Sequence, residues 1–231
     1  MADFTGFNPN DITQSIKNMN SNYSELSSIY NSKLKKFVED VSTGWACPEA
    51  KTFFNTDFKT ITTSLGRNIE NQFSFINELM NNAAQAWCRT TSSSAFTKVP
   101  FQNGLIKEVD VSIIKDNING DIGIDGERVT SLASSFLADL SSSIDSVLKK
   151  CRNISNGFLG GNQRQALDNR INIVSNSIVE SIKDQMSKLV ANVNNTAQKY
   201  QTNAGNVTSY FESESGVGTA ASGIGSSVSG N

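Results

Sequence analysis

The sequence predicts a mainly α protein: a four-helix bundle built from two long antiparallel helical hairpins, with a small β-hairpin inserted between them. Three observations carry this. Apolar residues recur at steps of three and four along four long stretches. Two Gly-aromatic segments, "TGWACPEA" and "NGFLGGNQ", interrupt the pattern at corresponding places in the two halves. Between the halves, a β-branched stretch surrounds an Asn103-Gly104 pair, a strong hairpin signal.

The first helix is predicted over residues 9–43, with Ile12, Ile16, Met19, Tyr23, Leu26, Tyr30, Leu34, Phe37 and Val41 forming its stripe. Asn8 serves as N-cap and Pro9 as first helical residue, and Asp11 sits in the first turn, where the helix dipole favours a carboxylate. Gly44 is the expected stop, taking the left-handed conformation. A new helix then starts at once. Cys47, pushed out of the helical region by Pro48, suits an N-cap, and Glu49 follows in the first turn. Its stripe runs Phe54, Phe58, Ile61, Leu65, Ile69, Phe73, Ile76, Met80, Ala83 and Trp87.

Residues 96–114, "FTKVPFQNGLIKEVDVSII", read as a short β-hairpin. The following "KDNINGDIGIDGE" fails as a calcium loop, because aligning Gly120 with the loop glycine puts Lys115 at the first ligand position; it reads as an Asx- and Gly-rich connector. A third helix, capped by Asp125, is expected from about residue 126 to 155, with Val129, Leu132, Phe136, Leu140, Ile144, Val147, Cys151 and Ile154 inward. The fourth carries Leu167, Ile171, Val174, Ile178, Ile182, Met186 or Gln185, Leu189, Val193, Thr196 and Tyr200, and extends as far as Phe211. The Gly/Ser-rich tail has almost nothing to bury. The resulting organisation is a first hairpin over 8–88, a linker over 89–124, a second hairpin over 125–214 and a tail over 215–231.

Composition narrows the function. The chain has 231 residues, 18% charged, with a net charge of −2 and no basic face for phosphates, so no nucleic-acid partner is expected. No apolar run reaches membrane-spanning length, and "MADFTGFNPND" lacks the basic-then-apolar order of a signal peptide. There is no histidine, which removes the commonest general base and metal ligand. Cys47, Cys88 and Cys151 have no zinc spacing. Cys88 and Cys151 are expected at one end of the bundle, as free, partly buried thiols or as a disulfide. Neither catalysis nor a cofactor is expected.

Setting the two bends over one another places Trp45 on Phe158 and Cys47 on Gly160, with Gly44 and Gly157 before the aromatics. The pattern resembles the WXG100 (ESAT-6-like) superfamily, helical hairpins that pair into four-helix bundles, and this chain resembles two such units in tandem. "Trp45-Ala46-Cys47" departs from the family bend at its glycine, and "Phe158-Leu159-Gly160" departs at its tryptophan. The resemblance implies export by a type VII secretion system without a cleaved signal peptide, to the cell surface or medium. It implies a Tyr-x-x-x-Asp/Glu signal after the last helix, matched by Tyr210 and Glu214. The implied partners are the secretion ATPase and an effector or a second WXG-like protein, with the chain a monomer or homodimer acting as substrate or as adaptor. Two rival expectations come from the residues alone: a pore-forming toxin whose insert is a β-tongue, and a self-assembling surface or filament subunit.

Overall fold

The structure, a computed structural model, describes residues 6–151, 157–159 and 161–213, with backbone only for 158, 159, 161 and 208–213. The elements are β1 (Gly6–Phe7), α1 (Pro9–Val41), β2 (Trp45–Ala46), α2 (Pro48–Phe53), a π-helical turn (Phe54–Phe58), α3 (Lys59–Thr90), β3 (Gly123–Ile124), α4 (Gly126–Cys151), β4 (Phe158–Leu159) and α5 (Gly161–Ser213). The molecule is mainly helical, as the periodicity predicts. α1 packs on α3 and α4, and α5 packs on the same two. Cross-contacts fix the directions. Tyr30 Oη donates to the Thr62 carbonyl (2.6 Å), Lys33 pairs with Asp139 (3.2 Å), and Asn68 Nδ2 donates to Ser181 Oγ (3.1 Å). Taken with Asn20–Asn77, Thr43–Arg128 and Phe75–Arg170, these make α1/α3, α1/α4 and α3/α5 antiparallel.

α1 forms as its sequence dictates. Asn8 Oδ1 accepts from the Asn10 and Asp11 amides, Pro9 opens the helix, and every predicted stripe residue is buried. Its end differs from expectation. Gly44 does not lie in the left-handed region. The last carbonyls are taken instead by hydroxyls, Ser42 Oγ donating to Glu39 O and Thr43 Oγ1 to Asp40 O, while the Gly44 amide reaches Val41 O.

Cys47 is the N-cap of α2, its sulfur accepting from the Ala50 amide at 3.3 Å. The π turn that follows has no sequence signature of its own. Its wider winding lets Phe53, Phe54 and Phe58 all bury against Trp45 and Phe37, with Phe37 stacking on Phe136 of α4 at 4.5 Å. One aromatic cluster therefore ties the first bend to the second hairpin. Further along α3 the buried face is Met80, Ala84 and Cys88, so Ala83 and Trp87, predicted inward, are only half-buried. In α4, Ala133 is buried and Leu132 half-buried; in α5, Met186 rather than Gln185 is buried, and Ala197 replaces Thr196. Ile154 lies outside the described residues.

The predicted β-hairpin is absent: no strand forms between residues 93 and 117. The segment lies extended along α1 and α3, and asparagine side chains supply the partners a second strand would have given. Asn81 donates to Val99 O (2.9 Å) and accepts from Val99 N (2.8 Å). Asn31 does the same one step on, with Leu105 O (2.8 Å) and Lys107 N (2.9 Å). Asn20 Nδ2 donates to Pro100 O (2.9 Å), and Glu70 accepts from both the Gly104 amide and the Tyr23 hydroxyl. Asn103-Gly104 does turn, with Gly104 at φ 75°. Beneath the strap Phe96, Val109, Val111 and Ile114 are buried. Gly66 lets it approach: a Cβ there would lie 2.6 Å from Ile106 Cγ2. The connector that follows is, as predicted, an Asx/Gly turn, with Asn119 and Gly120 both at positive φ between bridged Ile118 and Asp121.

Candidate functional site

The two bends are built alike, and each is closed by the other hairpin. At the first, Trp45–Ala46 pairs antiparallel with Gly123–Ile124, the dipeptide leading into α4. At the second, Phe158–Leu159 pairs antiparallel with Gly6–Phe7, the dipeptide leading into α1. The N-cap amides complete the correspondence. Asp125 N donates to Gly44 O (2.7 Å), and Asn8 N donates to Gly157 O (2.9 Å). One turn into each helix an aliphatic residue covers the bend glycine: Val129 faces Gly44, and Ile12 faces Gly157. A repeat "Gly-apolar-Asx" before α1 (Gly6-Phe7-Asn8) and before α4 (Gly123-Ile124-Asp125) is the sequence signal for this pairing.

The predicted bend residues occupy different settings. Trp45 is 0% exposed, and its indole Nε1 donates to Cys47 Sγ at 3.2 Å. Its ring packs on Phe53 and Phe54 inside the core. Cys47 is also fully buried, its sulfur accepting from both the indole and the Ala50 amide, a placement that withholds it from any external electrophile. Gly157 is buried against Ile12. Phe158 lies in β4 by its backbone, and Gly160 is outside the described residues. Cys88 and Cys151 are both free and buried, and burial pushes the Cys151 thiol up to about 11, with Asn22 Nδ2 donating to its sulfur at 3.5 Å.

α5 closes on the first bend through Tyr200, whose hydroxyl donates to Glu49 Oε2 at 2.7 Å. Burial, then hydrogen bonding with Cys47 and Glu49, raises the Tyr200 phenol, and the same hydroxyl holds the Glu49 carboxyl below its ordinary value. Because the folded Glu49 pKa is the lower one, its contribution to stability is present above the ordinary glutamate range and is lost as pH falls through the folded value. Tyr200→Phe is therefore expected to lower the melting temperature slightly at neutral pH and to leave it unchanged once the carboxylate is protonated. Thermal melts of both proteins between neutral and strongly acidic pH check this; a constant difference would show that Glu49 is not responsible.

Gln201 still lies over Gly126 at the start of α4, and past it the helix leaves the body. Every residue from 201 to 207 is exposed, Val207 at 54%. Tyr210 lies on this projecting segment by its backbone, and Glu214 is outside the described residues. At the far end of α5 is a surface groove of about 690 Å³, unmarked by any motif, between the last turns of α3 and the first of α5. Its walls include Phe75, Leu79, Ala83, Trp87, Leu167 and Arg170. The Arg170 guanidinium stands 5.1 Å over the Phe75 ring, and Trp87 stacks on Phe7 of β1 at 6.1 Å. It follows from the one-residue shift of the α3 stripe, which leaves Ala83 and Trp87 half-buried and which the predicted stripe did not contain. No described helix is long and apolar enough to cross a membrane, and no group of three or more metal-ligating side chains occurs among the described residues. No family model, curated protein or solved structure matches the chain.

Proposed function

We propose that this chain is a non-enzymatic, exported helical protein of WXG100 type, in which two hairpins fused in tandem form a four-helix bundle within one molecule. The observation that carries this reading is the reciprocal closure of the bends, Asp125 on Gly44 and Asn8 on Gly157. Two pairing hairpins would relate to one another in this way, and fusion holds them at high effective concentration, so that a separate partner is not needed for the bundle itself. The end of α5 supports the second half of the reading: residues 201–207 are exposed and the helix continues through Tyr210 to Ser213, leading into the segment that a secretion ATPase would read through Tyr210 and Glu214. The protein then acts outside the cell or at its surface, as a substrate in its own right or as the carrier of an effector. The rival pore-forming reading loses its β-tongue, because residues 93–117 are strapped to α1 and α3 rather than paired as a hairpin.

The test is export. In a host with a type VII system, the native chain is expected in the culture supernatant and the Tyr210→Ala/Glu214→Ala variant in the pellet, with circular dichroism establishing that the variant folds. Retention of the native chain alongside a cytosolic marker overturns the export reading. Equal export of both proteins overturns the role of Tyr210 and Glu214.

A further inference from the structure

We propose that the α3/α5 groove receives the projecting end of α5 from a second copy of the chain, so that copies associate head to tail. Three properties of the two surfaces match. The first is apolar. The groove presents Phe75, 41% exposed, with Leu79, Ala83 and Trp87. The projecting helix carries Ala204, Val207 and Phe211 at spacings of three and four residues, the pattern of a helix laid into a groove. The second is charge. Arg170 is the groove's cation, and no carboxylate is among its lining residues. From Gln201 onward the chain has Glu212 and Glu214 and neither Lys nor Arg. The third is hydrogen bonding. Gln163 Oε1, on the groove wall, is buried with no donor. An unmade buried bond is costly, and Thr202, Thr208, Ser209 and Tyr210 bring hydroxyl donors.

The contact is between molecules because α5 is one continuous helix. At about 1.5 Å per residue, Val207 lies roughly 60 Å along the axis from Ala166, which lines the groove, and cannot fold back onto it. The two surfaces differ, so the contact is heterologous and produces an open chain of copies unless its rotation closes. One short helix covers little area, which places the association among weak interfaces. This inference is independent of export, and its test uses purified protein.

The experiment is sedimentation velocity on the full chain over a concentration series, with two variants checked for helicity by circular dichroism. Ala166→Glu puts a carboxylate on an exposed position of the groove, facing the acidic helix end, and Val207→Asn replaces the apolar side chain of the projecting face with a polar amide. The native chain is expected to gain mass with concentration, and each variant alone to associate at least about tenfold more weakly. Mixed together, the variants are expected to form a one-to-one complex and nothing larger, because the first keeps an intact helix end and the second an intact groove. A native chain that stays monomeric throughout, variants that associate like the native chain, or a mixture that forms no complex would each overturn the proposal.

Discussion

Gly157→Ala is expected to lower stability by about 3 kcal/mol, while Gly44→Ala costs no more than about 0.5 kcal/mol. The two glycines occupy matching places in the two bends, yet their surroundings differ. A Cβ on Gly157 would fall 2.4 Å from the Ile12 amide nitrogen and 2.7 Å from its Cα, both backbone atoms at the start of α1. Neither can rotate away. Relief requires α1 to back off from the bend, which would break the Asn8 N to Gly157 O bond and the β1–β4 pair. A Cβ on Gly44 meets Arg128 Cδ at 3.5 Å and Val129 Cγ2 at 3.7 Å, ordinary contacts with side chains. For a chain of this size a loss of about 3 kcal/mol shifts the melting temperature by roughly 6–12 °C. Thermal unfolding followed by circular dichroism reads the contrast. Similar shifts for both variants would mean that the second bend does not press on Ile12.

The strap supplies the second large effect. Asn81→Ala removes both partners of Val99 at once and is expected to cost about 2–4 kcal/mol, from two backbone groups left unpaired near the core. The side chain is fully buried and also donates to Asn77, so no water stands ready to replace it. Asn31→Ala breaks the same pair of bonds at Leu105 and Lys107, but Lys107 is exposed, and the expected cost is about 1 kcal/mol. Denaturant unfolding gives the magnitudes. Amide hydrogen exchange gives the location: Val99 should lose protection in Asn81→Ala while amides in the middle of α1 keep theirs. Unchanged exchange at Val99 would show that the strap is held by its apolar residues alone.

These two cases also mark where reading the sequence succeeds and where it stops. Helix periodicity and capping are local, so the α1 stripe, the Asn8, Cys47 and Asp125 caps and the two bends were legible from residue spacing. Two features outran local rules. In 96–114 the β-branched residues and Asn103-Gly104 announced a hairpin, but the partners for that backbone were the amides of Asn20, Asn31 and Asn81, far away in sequence and placed on helices. In α3, the π turn at Phe54–Phe58 precedes a buried face that ends on Ala84 and Cys88, although the predicted stripe ran through Ala83 and Trp87. That difference is why the groove could not be anticipated. The bend residues were found, but their mode of closure was not, because the pairing of β1 with β4 and β2 with β3 joins segments that periodicity treats separately.

That crossed pairing has a consequence for how the chain is made. Gly6–Phe7, which leads into α1, has its strand partner at Phe158–Leu159, beyond α1, α3 and α4. While the first hairpin emerges from a ribosome its leading dipeptide has nothing to pair with, and Trp45–Ala46 likewise waits for Gly123–Ile124. Contacts so distant in sequence form late, since the intervening chain must first be ordered. The first half can therefore gain helix early but not its final closure, and the two ends lock together only when the second bend has been translated. A chain interrupted before that point would display an unpaired strand edge at each open bend, the kind of surface on which folding chaperones act.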